Sequence, residues 1–278
     1  MKIVDLVEVG KDYKGLYLYP GIIGNDLARV SIGSTLVVHD NERPMVSILR
    51  NLLCQLALDT YEHNPDIYVW DTFGTVPLVM PEFRTTALSS RIVSEYETNC
   101  NSTLMDFVCR RVNEYAERMY ADAPCSIPEV IIICGLSGGL EGLDRIERET
   151  LISRIRALML NGYKKNVYLI AGSVPYYPLS DLVHASKYVI KRTTGSVDSM
   201  IGYSSNGCSD KEHEVMLCER AKEATNTFNI RYPYFRTAEI RDILKGMLLP
   251  LGFKLTEVQR FLLGGLRGIN INRKPTVE

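Results

Sequence analysis

The stretch Glu129-Val130-Ile131-Ile132-Ile133-Cys134 decides the fold. Four consecutive β-branched residues form an unbroken apolar run, which is the pattern of a central parallel strand covered on both faces. Directly after it comes a Gly-rich loop, GLSGGLEGLD (135–144), and then a helical pattern, DRIERETLISRIRALMLNGYK (144–164), that stops at Gly162. NVYLIAGS (166–173) reads as the next buried strand, PLSDLVHAS (178–186) as a short helix and KYVIKRT (187–193) as a further strand.

The same alternation holds upstream. TLVV (35–38) reads as a buried strand, HDNERP (39–44) as a polar break, and VSILRNLLCQLALDTYEH (46–63) as a helix with apolar residues at helical spacing. IYVWD (67–71) is a strand ending in an acid, followed by the turn-prone TFGTVP and by a long amphipathic helix that begins near Ser102 and runs to Tyr120. Repeated β and α units between residues 35 and 193 specify an α/β fold with a mostly parallel sheet and helices on both faces. Before them, IVDLVE (3–8) and GLYLY (15–19) read as short lead-in strands, and PGIIGNDLARVSIG (20–33) as loop with another short strand. After them, SDKEHEVMLCERAKEATN (209–226), PYFRTAEIRDILKGMLLPLG (233–252) and LTEVQRFLLGGLRG (255–268) all read as helical. The expected organisation is one domain over 1–278, with lead-in strands in 1–34, the core in 35–205 and a helical C-terminal part in 206–278.

Composition restricts the function classes. Hydrophobic residues make up 46% of the 278 and charged residues 23%, which is a folding composition. Lys and Arg total 32 against 33 for Asp and Glu, so no overall positive field exists to hold a phosphate backbone, and nucleic acid is not an expected partner. The seven cysteines (Cys54, Cys100, Cys109, Cys125, Cys134, Cys208 and Cys218) are odd in number and never spaced as CxxC, which signals neither a disulfide framework nor a metal site and fits a reducing compartment. His213-Glu214 fails the zinc-protease spacing because residue 217 is Leu. No apolar stretch is long enough for a spanning helix.

In an open α/β sheet ligands bind beyond the carboxyl ends of the strands, so the loops after TLVV, IYVWD, EVIIIC and NVYLIA are where chemistry is expected. A phosphate-binding loop needs glycines whose N–H groups wrap the phosphates, a Lys for the outer phosphates and a Ser or Thr for magnesium. His39-Asp40-Asn41-Glu42-Arg43-Pro44-Met45-Val46 has neither glycine nor lysine, carries two acids, and loses a donor at Pro44. The glycines of 135–144 do not follow GxGxxG spacing, which favours a turn over a phosphate cradle. Cys134 lacks a recognisable histidine partner motif, so a small core residue is the simpler reading than a nucleophile.

From about Gly21 to about Ser205 the sequence resembles the motor domain of the FtsK/SpoIIIE family. IIGNDLARVSIGSTLVV is similar to the family's approach to its first strand, and SILRNLLCQLAL to the helix after its P-loop. IYVWD resembles the following strand, while VNEYAERMY resembles the Glu-Met-Glu-Arg-Arg-Tyr helix with Glu117, Arg118 and Tyr120 in register. YLIAGSVP resembles the strand ending Ala-Thr-Gln-Arg-Pro, and KYVIKRTTGSVDS the segment Arg-Val-Ser-Ser-Arg-Val-Asp-Ser, keeping Arg192, Val197, Asp198 and Ser199. The resemblance implies a three-layer P-loop NTPase-like fold of the RecA/FtsK type.

It also implies where the chemistry has gone. Met45 takes the place of the P-loop Lys and Val46 that of the magnesium-binding Ser or Thr; Cys134-Gly135 replaces the family's Asp-Glu, Ser173 its Gln, and Ser196 its second Arg. The degenerate nucleotide pocket is then Arg43, Pro44, Met45, Val46, Asp71, Cys134, Gly135, Ser173, Arg192 and Ser196, with no catalytic residue, no metal ligand and weak or absent binding of magnesium-ATP. Such eroded domains are similar to the last ATPase-like domain of the coupling proteins of type VII (ESX) secretion. That likeness implies a cytosolic domain of a plasma-membrane protein, joined to the membrane only through upstream segments. Its partners would be adjacent ATPase domains of the same polypeptide and secreted WXG100- or LXG-type proteins. An active DNA-translocating motor and a free-standing adaptor remain the alternatives.

Overall fold

The computed structural model describes residues 16–58, 65–71, 78, 92–96, 103–120, 127–175, 179–192, 213–220 and 225–232. In chain order the strands are β1 (Tyr17–Ile23), β2 (Asp26–Ser31), β3 (Thr35–His39), β4 (Asp66–Asp71), β5 (Ile92–Tyr96), β6 (Glu129–Cys134), β7 (Val167–Ser173), β8 (Tyr188–Arg192), β9 (Glu214–Arg220) and β10 (Thr225–Arg231). The helices are α1 (Glu42–Leu58), α2 (Leu104–Tyr120), α3 (Leu136–Leu140), α4 (Arg145–Asn161), continued by a tighter turn at Gly162–Lys165, and α5 (Ser180–Ala185). The strands form one sheet in the order β2-β1-β10-β9-β8-β3-β7-β6-β4-β5.

From β8 to β5 every pairing is parallel, and from β8 back to β2 every pairing is antiparallel. Alternate residues of each parallel strand enter different cores, because successive side chains point to opposite faces. Val37, Val69, Ile132 and Ile170 join Met45, Leu49 and Leu53 of α1 on one face. Leu36, Trp70, Ile133 and Leu169 join Phe107 of α2, Ile155 of α4 and Val183 of α5 on the other. EVIIIC is buried at all its positions, as its unbroken apolar run requires.

Several elements differ from the sequence reading, each for a local reason. Residues 206–278 were expected to be helical, yet Glu214–Arg220 and Thr225–Arg231 are antiparallel strands pairing Val215 with Ile230 and Leu217 with Phe228. Val215 and Leu217 enter one core while Met216 and Cys218 enter the other, so the strand shows no alternation and imitates a helix. The open side of β8 overrides that local preference by supplying a partner. The other two helical readings, 233–252 and 255–268, lie outside the described residues, as does IVDLVE (3–8).

β5 is an additional edge strand in a stretch read as the approach to α2, whose cap is Thr103 rather than Ser102. Thr103 Oγ1 accepts from the Asp106 N–H at 3.2 Å and the Asp106 carboxylate accepts the Thr103 N–H at 3.0 Å. β1 runs on through Pro20 and Gly21, where the segment was read as loop, and its pairing with β2 shifts register between Leu18 and Gly21. The stretch 135–144, read as a flexible turn, contains α3. Gly135 enters it at φ 75°, and a Cβ on Gly139 would lie 2.5 Å from Leu104 Cδ2 and 2.8 Å from Trp70 Cη2. These glycines let a short helix pack tightly on α2 and β4.

Candidate functional site

The carboxyl ends of β4, β6, β7, β3 and β8 form one row. Asp71 pairs with Cys134, Cys134 with Gly172, Val38 with Ser173, and His39 with Arg192. Five residues named from sequence as one pocket or its flanks, Asp71, Cys134, Ser173, Arg192 and, through α1, Met45, therefore do share one edge of the sheet. Ser196 lies outside the described residues.

The turn between β3 and α1 is Asp40-Asn41, because α1 begins at Glu42, four residues before the helix expected from Val46. Asn41 starts it: its side-chain oxygen accepts the Arg43 N–H at 3.1 Å. Glu42 suits the positive end of the helix dipole, and Pro44 is tolerated in the first turn, where no intrahelical donor is needed. A phosphate-wrapping loop inserts several residues between strand and helix, and two residues cannot do that.

Met45 and Val46, each 1% exposed, point into the α1-side core. Met45 lies across β7, where a Cβ on Gly172 would stand 3.2 Å from its Cγ and Sδ and 2.4 Å from Leu49 Cδ1. The absence of a side chain at Gly172 is what lets the start of α1 settle onto the sheet. Arg43 is exposed, and its carbonyl accepts from the Ser47 hydroxyl at 3.0 Å.

Asp71 is buried, and its Oδ2 accepts the Leu78 N–H at 2.6 Å. The neighbouring Arg50 of α1, also buried, donates from Nε to the Leu78 carbonyl at 3.3 Å, so both main-chain polar groups of Leu78 are held. Burial first, and then the negative charge of Asp71 and the hydrogen bond to it, hold the Cys134 thiol well above its ordinary pKa. It stays protonated and donates toward Asp71, which is the opposite of an activated nucleophile. The hydroxyl of the fully buried Ser173 donates to the Val174 carbonyl at 2.7 Å. Arg192 is half-buried and its carbonyl accepts the Asp40 N–H at 3.3 Å.

His39, Arg50, Leu78 and Gly172 belong to this edge and were not singled out from sequence. A lone Arg within the apolar pattern of SILRNLL was the one available signal. Burial, opposed by Asp40 and reinforced by the positive charge of Arg192, lowers the His39 pKa to about 4. His39 Nδ1 accepts the Asn41 N–H at 3.0 Å, so the neutral ring carries its proton on Nε2, which has no hydrogen-bond partner among the described residues. At 3.4 Å from Asp40 it is near a carboxylate, but a neutral imidazole makes no ion pair there. Among the described residues no group of His, Cys, Asp and Glu is arranged to hold a metal ion.

This architecture defines a class, the P-loop ATPase-like α/β fold. Solved structures of that class extend the likeness to particular proteins. The chain superposes on the pCW3 conjugation coupling protein TcpA, solved with ATPγS, at TM-score 0.63 and 12% identity, covering 84% of this chain and 70% of that one. ATPases 2 and 3 of EssC from Geobacillus thermodenitrificans match at TM-score 0.60 and 9% identity, over 90% of this chain and 50% of that one. The cytoplasmic domain of the Thermomonospora curvata type VII secretion ATPase EccC matches at TM-score 0.59 and 13% identity, over 96% of this chain and 35% of that one. The chain thus spans half or less of the two secretion ATPase structures. No protein-family model matches the sequence, and no curated protein does. Among the described residues no helix is long and apolar enough to cross a membrane.

Proposed function

We propose that this chain is a catalytically degenerate FtsK/SpoIIIE-type domain of a type VII secretion coupling protein, serving substrate recognition or the control of neighbouring ATPase domains. One observation carries the loss of catalysis: the start of α1, with Met45 packed over Gly172 and a two-residue turn before it, occupies the space that a phosphate loop and its lysine would need. Asp71 accepts the Leu78 N–H and the Cys134 thiol, and among the described residues this edge offers no carboxylate pair for magnesium. Phosphoryl transfer depends on electrostatic positioning, and these residues supply little of it.

The placement in secretion rests on the likeness to EssC and EccC together with the sequence resemblance. The partners proposed are adjacent ATPase domains of one polypeptide and small helical secreted proteins, with the domain on the cytosolic side of the plasma membrane. EccC has also been solved with a signal sequence peptide, at 12% identity to this chain, which supports substrate recognition as the activity to test first. A second reading, a nucleotide-binding module of a DNA-coupling protein, draws on the likeness to TcpA; the near-neutral charge of the chain speaks against it. Calorimetric titration with magnesium-ATP separates the two. No heat of binding and no phosphate release are expected, and tight magnesium-dependent binding sinks the degenerate reading.

A further inference from the structure

Eight large apolar side chains are exposed among the described residues, and five of them, Met119, Tyr120, Ile127, Leu160 and Tyr163, gather at the amino edge of the sheet where α2 and α4 end. Two contacts bring these ends together. The Tyr115 hydroxyl donates to the Asn161 carbonyl at 3.0 Å, and Arg118 pairs with Glu129, two residues beyond Ile127. Tyr120 is 90% exposed and Tyr163 61%. Single exposed apolar residues are ordinary, whereas a concentration of aromatic, Met and Leu side chains at one place has the composition of an interface core.

The charges around them have one predominant sign. Arg156 and Lys164 are exposed, and Arg154 is half-buried with its guanidinium against the neutral thiol of Cys109. Lys164 Nζ donates to Asn161 Oδ1 at 3.1 Å, so it too meets a neutral group. None of the three has a carboxylate partner among the described residues. Among the described residues Glu117 is an exposed acid at this end, and Glu114 is tied to Arg111 at 2.7 Å. Lys164 lies in the tight turn that continues α4, where the helix dipole favours a cation, but the dipole gives no reason for Leu160 and Tyr163 to be bare beside it.

We propose that this end of the α2/α4 layer is a docking surface for an acidic amphipathic helix of a partner protein. The helix would lay its apolar face on Met119, Leu160 and Tyr163, and its carboxylates would meet Arg156 and Lys164. Met119 at the end of α2 and Leu160 and Tyr163 at the end of α4 are exposed apolar anchors of the kind an amphipathic helix engages with its i, i+3/i+4 and i+7 side chains. The surface is remote from the strand-carboxyl edge and does not depend on whether nucleotide binds there.

The test is selection of a random peptide display library on the whole chain, followed by titration of the enriched peptides as fluorescent conjugates. Enriched sequences are expected to be amphipathic and flanked by Asp or Glu, and to lose about tenfold or more in affinity to Tyr163→Asp and to the double variant Arg156→Glu/Lys164→Glu. The double variant changes exposed positions alone, so its thermal unfolding should match the parent even if Tyr163→Asp folds poorly. Enrichment of basic or purely apolar peptides, indifference to the charge reversal, or no enrichment overturns the proposal. So does a concentration-dependent dimer in sedimentation that the charge reversal abolishes, since the occupant would then be a second copy.

Discussion

At the carboxyl edge of the sheet, Asp71 and Ser173 spend their polar atoms on nearby main chain, and Met45 packs against bare backbone at Gly172. The amino edge is built differently. There Glu129, 2% exposed, meets Arg118 and, at 3.9 Å, Arg111, whose guanidinium also lies 3.9 Å over the Tyr68 ring. Nε and Nη1 of Arg111 find no hydrogen-bond acceptor among the described residues. At the edge where open α/β sheets ordinarily bind ligands these described side chains thus meet groups of their own chain, whereas the opposite edge keeps charges side by side and exposes apolar groups. On the proposed reading, loss of chemistry at one edge leaves recognition to the other.

The strongest attack on that contrast is Met45→Lys, which restores the residue type that phosphate chemistry wants. In this packing its ammonium would be buried among Val37, Leu49 and Cys134, at a cost of about 4 kcal/mol or more, and magnesium-ATP would still not bind. Urea denaturation and calorimetry report the two halves. A variant of parental stability that binds nucleotide would mean that the edge is merely collapsed and can reopen.

Glu129→Ala probes the amino edge. It removes the buried carboxylate that Arg118 pairs with and that lies 3.9 Å from Arg111, leaving Arg111 with Glu114, and should cost about 3 kcal/mol, as breaking one side of a buried ion pair generally does. Glu129→Gln keeps the shape and should cost less. Equal losses in chemical denaturation would show that the cluster acts by packing and not by charge. Gly139→Ala is a milder test of how α3 locks the carboxyl edge to α2: its Cβ must displace Leu104 and Trp70, for about 2 kcal/mol of overpacking. Trp70 is the single tryptophan, so its fluorescence should shift in this variant. An unchanged spectrum and midpoint would mean that α3 is loosely held.

The parallel core was legible because β-branched runs such as Val130–Ile133 are local signals, and that strand is where the pattern puts it; the capping box of Asp144 and Glu147 at the start of α4 was not read from the sequence. The β9–β10 pair was not, since Val215–Cys218 is buried on both faces and carries no period that distinguishes strand from helix. At the candidate site, Asp71 could be named because it ends a strand that is itself legible, whereas Met45, Val46, Cys134, Ser173 and Arg192 were named through the resemblance to the FtsK/SpoIIIE motor. Arg50 and Leu78 could not, because the peptide they build around Asp71 joins positions 28 residues apart through contacts that only the folded sheet creates. His39 was passed over for a related reason: its buried, neutral state comes from the tight turn at Asn41, and that turn was read as a longer polar break.

The smallest expected effect divides the two edges by pH. His39 has a folded pKa lowered from 6.5 to about 4, so the stability it contributes is present above about 6.5 and is lost as pH falls from there toward 4. Glu129 behaves in the opposite sense. Burial raises its pKa above 4.5 although Arg118 and Arg111 pull it down, so its contribution is full below 4.5 and fades as pH rises through the raised value. Acidification therefore weakens the carboxyl edge while it relieves the amino edge, and the wild-type melting temperature should show a shallow slope in which the two partly cancel. His39→Asn, which keeps an acceptor for the Asn41 N–H but cannot titrate, should remove the loss and leave a protein that gains stability toward pH 4.5. Glu129→Gln should do the reverse and steepen the acid loss. If His39→Asn melts with the same pH slope as the parent, the imidazole is already protonated or already exposed, and the tight β3–α1 turn that closes the carboxyl edge does not hold in solution.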